Sequence, residues 1–182
     1  MPPLALLVLA AQVGGTASGP VPSPGRYFPQ CSGVRVTASD RAVPPKDMTF
    51  SSRETLDLLL RPRIRRNLQG DHLMQLKVLT PGGFLYQVIT VPFVGAAADA
   101  RGQQAAAPRA RVVPGYPRPL EVQRLVLVRG SATRAEYELR ARLPVAGTSI
   151  TLSSIYGTWS VQPFLDGRAE PCGPATRFTI RD

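Results

Sequence analysis

The sequence predicts an all-β fold, an antiparallel β-sandwich, on three observations. Apolar residues recur at alternate positions over short runs, Pro, Gly and Asp-Gly pairs punctuate those runs, and no stretch shows the spacing of a convincing amphipathic helix. The closing stretch carries the signal best. Trp159, Val161 and Leu165 recur at even spacing, Asp166-Gly167 offers turn chemistry, and Phe178 and Ile180 alternate with Arg177, Thr179 and Arg181. A hairpin with one packed face is expected there.

In chain order, Val34 and Val36 alternate with Arg35 and Thr37, a first strand ended by Pro44-Pro45. Between Thr55 and Ile64, Leu56, Leu58 and Leu60 fit one strand face, but Leu59 is also apolar and Pro62 argues against a central strand, so an edge strand is expected, with a helix as the alternative. Gly70-Asp71 reads as a turn, after which Met74, Leu76 and Val78 face inward and Gln75 and Lys77 outward. Thr80-Pro81-Gly82-Gly83 is a strong turn signal, and Phe84 to Val94 returns as a strand through Tyr86, Val88 and Ile89. Val122, Leu125 and Leu127 suggest a further strand. Tyr137, Leu139, Ala141 and Leu143 alternate with Glu138, Arg140 and Arg142, and Ile150 and Leu152 suggest one more short strand before a Tyr156-Gly157 turn.

Seven or more short strands divided by Pro/Gly turns match a sandwich of the immunoglobulin-like type. The strand from Gly157 through Trp159 to Val161, the Asp166-Gly167 turn and the Phe178-Thr179-Ile180 strand resemble the closing strands of immunoglobulin-like modules in bacterial secreted proteins. The strand-Pro81-Gly82-Gly83-strand arrangement extends this resemblance over most of residues 32–182. It implies an immunoglobulin-like sandwich and an exported module working by surface contact. The cysteines depart from the antibody pattern, since Cys31 and Cys172 do not lie on two central facing strands around a buried Trp, so only the general architecture carries over.

Residues 1–19 carry the apolar run Leu4 to Ala11 followed by small residues, which matches a signal-peptide core and is too short to span a bilayer, although no basic residue precedes Arg26; an apolar N-terminal tail is the alternative. Residues 20–30 are a Pro/Gly/Ser linker, and residues 31–182 form the sandwich domain, with 95–119 a flexible Ala/Pro/Arg-rich insertion loop. Cys31 opens that domain and Cys172 precedes the final strand, so a disulfide between them ties the first ordered segment to the last; free buried thiols and a lipidated Cys31 are the alternatives, and Phe28-Pro29-Gln30 disfavours lipidation. The expected location is periplasmic or secreted.

The net charge of +10 is almost all arginine, with Lys46 and Lys77 the only lysines, which reads as a coding bias rather than a nucleic-acid footprint. Catalysis is poorly provided for. His72, beside Asp71, is the only histidine and is expected on the solvated surface; Asp57, Glu136, Glu138 and Asp166 are scattered and read as solubilising residues. No cofactor or metal site is expected, and Asp166-Gly167 alone falls far short of a calcium cage. The function expected is therefore a non-catalytic binding or structural module of the envelope.

Two features bear on its partners. Arg61, Arg63 and Arg65, with Arg66, form an extended basic strip suited either to anionic ligands or to protection of a strand edge, and Arg101, Arg109, Arg111 and Arg118 could extend its field. The strip lacks interleaved aromatics, so nucleic acid is not expected. The partner is instead another envelope protein, or an anionic or carbohydrate polymer. Tyr116, Phe84, Tyr86 and Phe164 are the aromatics that a carbohydrate platform would need to expose.

Overall fold

The structure, a computed structural model, describes residues 30–40, 44–96, 110–129 and 135–182. The expected signal peptide, nearly all of the linker, and residues 97–109 of the insertion, with Arg101 and Arg109, lie outside the described residues. Thirteen strands are numbered in chain order: β1 Cys31–Ala38, β2 Thr49–Ser51, β3 Asp57–Ile64, β4 Asp71–Leu79, β5 Leu85–Val94, β6 Ala110–Arg111, β7 Leu120–Glu121, β8 Gln123–Arg124, β9 Val126–Arg129, β10 Glu136–Glu138, β11 Ala141–Pro144, β12 Gly157–Leu165 and β13 Thr176–Arg181. One helical turn, α1, spans Ser149–Leu152.

The fold is all-β. One sheet has the order β1-β3-β10-β9 with β11 also on β3, a second has the order β2-β13-β12-β4-β5-β8, and β6 pairs with β7. Both large sheets contribute to one hydrophobic cluster: Val34, Val36, Leu58, Leu60, Leu139 and Leu143 from the first, and Met74, Leu76, Val78, Phe93, Trp159, Val161, Phe178 and Ile180 from the second. Alternation along β3, β4 and β12 is what aims these side chains at one another. The β4–β5 hairpin turns at Thr80–Phe84, where the Gly83 amide donates to the Thr80 carbonyl at 2.9 Å and Gly83 takes φ +80°, a conformation that suits a residue without Cβ.

Four expectations are corrected. The Thr55–Ile64 segment is not an edge strand: β3 pairs with β1 along one side and with β10 and β11 along the other. Pro62 is tolerated because in an antiparallel strand a residue's N–H and C=O point the same way. Its carbonyl accepts from the Leu139 amide, so its missing N–H faces the interruption between β10 and β11, where the ladder asks for no donor. Ile150 and Leu152 belong to α1 rather than a strand. Thr148 caps that turn, its hydroxyl accepting from the Ile150 amide at 3.3 Å, and only Ile150 of the pair is buried.

The closing strands are not joined by a two-residue turn. Asp166 and Gly167 do take left-handed φ of 54° and 68°, but residues 166–175 separate β12 from β13 and carry Cys172. Lastly, the strand expected through Val122, Leu125 and Leu127 breaks into β7, β8 and β9, with Leu125 buried and Leu127 exposed.

Part of the expected insertion loop is packed. Val113 is buried, and the Tyr116 hydroxyl donates to the Val88 carbonyl and accepts from the Thr90 amide, at 3.2 and 3.1 Å. A phenol thus occupies backbone groups on the edge of β5 where no strand among the described residues pairs, a side-chain cover for that edge.

Candidate functional site

Cys31 and Cys172 form a disulfide, with Cα atoms 5.1 Å apart and a sequence separation of 141. The Cys31 amide also donates to the Cys172 carbonyl, and a Cβ on Gly173 would meet the Cys31 carbonyl oxygen at 2.8 Å. The bond ties β1 of the first sheet to the β12–β13 connection of the second. Disulfides persist in oxidising compartments. Among the described residues no helix is long and apolar enough to cross a membrane.

The arginine strip is divided. Arg61 and Arg63 share the outward side of β3, but β10 sets two carboxylates against them. Glu138 lies 3.5 Å from Arg61 Nη1 and 3.7 Å from Arg63 Nε, and Glu136 accepts from Arg63 Nη1 at 3.4 Å and from the Ser32 hydroxyl at 3.0 Å. The Glu138 side chain is only 8% exposed, so these charges sit in an environment drier than the open surface. Glu136 and Glu138 are therefore counter-charges rather than solubilising residues. Arg65 and Arg66, beyond the end of β3, are exposed. Asp57 is drawn toward Arg142 at 3.9 Å.

His72 is not a solvated surface imidazole. Its Nδ1 contacts Asp166 Oδ2 at 2.8 Å, its Nε2 contacts the Gln69 carbonyl at 2.9 Å, and its ring stacks on Phe93. The other Asp166 oxygen accepts from the Leu73 amide at 2.9 Å. The second ring nitrogen, which a nucleophile would need, thus faces a backbone carbonyl, and Asp166 has both oxygens engaged by the protein. What the arrangement does chemically is fasten the end of β4 to the end of β12.

The four candidate aromatics do not share one exposed surface. Phe164 is buried under Lys77, whose Nζ stands 4.0 Å from the ring centroid, and Tyr86 packs edge-on against Trp159 at 5.1 Å. Tyr116 is half-buried on β5, and Phe84 alone is largely exposed.

A feature that sequence reading missed lies on β9, the outermost strand of the first sheet. Val126, Leu127 and Val128 are 54%, 54% and 45% exposed. Successive strand residues point to opposite faces, so exposure of all three means that β9 is uncovered on both. The signal was present in the sequence as Leu125-Val-Leu-Val128, an apolar run without polar alternation. Comparisons with protein-family models, curated proteins and solved structures give no match.

Proposed function

We propose that the chain is an exported, immunoglobulin-like module of a bacterial envelope that acts without catalysis, by surface contact with another protein. The single observation behind this reading is β9, an apolar strand at a sheet edge that is uncovered on both faces, in contrast to the alternate burial along β3, β4 and the first part of β12. Native sheets shield such edges with charge, proline or a covering element, and an edge left bare is a template for pairing.

Strand order supports the immunoglobulin-like part. Lettering β1, β3, β4, β5, β9, β10/β11, β12 and β13 as A, B, C, C′, D, E, F and G gives sheets A-B-E-D and G-F-C-C′, the arrangement of variable-type sandwiches. The disulfide and the position of Trp159 on β12 differ from the antibody pattern, and the disulfide favours a periplasmic or secreted location.

A second reading, a polyanion-binding module, rests on Arg65 and Arg66, which stand exposed beyond the neutralised part of the strip. Retention of envelope-fraction components on the immobilised chain separates the two. On the protein-contact reading, Leu127→Asp lowers retention at least tenfold and Arg65→Gln/Arg66→Gln leaves it nearly unchanged. The reverse pattern replaces protein contact with polyanion binding.

A further inference from the structure

The β9 edge also carries a charge signature that narrows its partner. The acids nearest it belong to β10, paired in register with β9, and both are already engaged, Glu136 by Arg63 and Ser32 and Glu138 by Arg61 and Arg63. The charge left over is positive. Arg124, on β8 two residues before β9, follows Gln123, whose side chain reaches Arg140 just beyond the end of β10. The Gln123 side-chain amide fastens the two segments there, donating to the Arg140 carbonyl at 2.6 Å and accepting from the Arg140 amide at 2.9 Å. Arg124 and Arg140 are both exposed, and neither has a carboxylate partner among the described residues. This unbalanced positive charge at one end of the strand favours an incoming carboxylate.

We infer that β9 receives an extended segment of another protein as an added strand, with apolar residues against Val126, Leu127 and Val128 and an acidic residue beside Arg124 and Arg140. This deepens the proposed protein contact and rests on it. Main-chain hydrogen bonds to the open side of β9 supply attachment, the apolar side chains on either face supply burial, and the arginine pair sets the end at which the acid must lie. A second copy of the chain is a poorer occupant. Pairing β9 with itself brings together two molecules that each carry a net charge of +10.

The test uses the full chain and a synthetic probe, Glu-Asp-Val-Thr-Val-Thr-Asp-Glu, with a Lys-flanked version of the same core as control. The inference expects the acidic probe to bind at least tenfold more tightly than the control, to slow amide exchange in Val126–Arg129, and to lose that advantage in Arg124→Glu/Arg140→Glu. Equal affinity for both probes, or protection appearing at Leu85–Gln87 instead of β9, overturns it. So does protection of β9 in a dimer that forms without any probe, which assigns the edge to a second copy. If Leu127→Asp abolishes envelope retention while neither probe protects β9, strand addition is refuted and the broader protein-contact reading stands.

Discussion

Glu138→Gln tests whether β10 neutralises the arginine strip, and its consequences follow from geometry. The carboxylate lies 3.5 Å from Arg61 and 3.7 Å from Arg63, with its side chain 8% exposed and theirs 20% and 27% exposed. At an effective dielectric of about 20, each pair is worth about 4 kcal/mol of gross attraction. Most of that is offset by the desolvation the carboxylate suffers, which the neutral amide largely escapes. Breaking a fully buried pair costs about 3–5 kcal/mol. Because both guanidinia keep some water, and because Glu136 still holds Arg63, a loss of about 1–3 kcal/mol is expected.

Urea denaturation reads that loss, and retention on immobilised heparin reads the second consequence. Glu136→Gln/Glu138→Gln removes both counter-charges and should raise the salt concentration needed for elution. The exposed pair Glu121→Gln/Glu170→Gln, which changes net charge equally, should raise it less. A stability loss below about 0.5 kcal/mol, the ordinary range for a surface change, or equal shifts in elution from both double variants, refutes the network.

Three further outcomes follow from the same structure. Trp159→Ala removes a fully buried side chain that packs on Tyr86 and donates its indole N–H to the Ile155 carbonyl, so chemical denaturation should show a loss of about 3–5 kcal/mol; a loss under about 1 kcal/mol contradicts the packing. Cys31→Ala/Cys172→Ala opens a loop of 141 residues and should cost about 4–5 kcal/mol on the chain-entropy account, with thiol titration of the denatured, unreduced parent finding no free thiol. The hydrogen bond and charge of Arg53 hold the Asp182 carboxyl below its ordinary value, so an NMR titration should give a depressed midpoint that returns in Arg53→Gln. With the folded value depressed, this pairing stabilises the fold above the ordinary carboxylate range and is lost as pH falls through the depressed midpoint; a midpoint unchanged by Arg53→Gln refutes the coupling.

The parts of the fold legible in the sequence are those where a side chain's environment repeats every second residue. Met74, Leu76 and Val78, then Trp159 and Val161, then Phe178 and Ile180 each sit on a strand paired along both sides, and alternation alone identifies their inward face. The disulfide was legible for a different reason, because its two cysteines bracket the folded unit.

What escaped reading is held by contacts that have no period. Pro62 is central because the facing chain breaks at Leu139–Arg140, and nothing in residues 57–64 records a gap some 75 residues further along. Tyr116 satisfies the β5 edge from within a Pro/Gly/Arg-rich stretch, and His72 is turned inward by an aspartate that is 94 positions away in sequence. At Tyr116 and Asp166 a side chain takes the place of a backbone partner, at Pro62 a gap does, and a single such event leaves no pattern.

The arginine strip was half legible. Alternation correctly put Arg61 and Arg63 on one side of β3, but their neighbours across the ladder are set by register, which placed Glu136 and Glu138 beside them. β9 fails in the opposite direction. There the alternation lapses in the sequence itself, and a strand with apolar residues on both faces must either lie between two layers or await one. The chain folds no second layer over Val126–Val128 among its described residues, and the strand addition proposed above is the arrangement that would supply one.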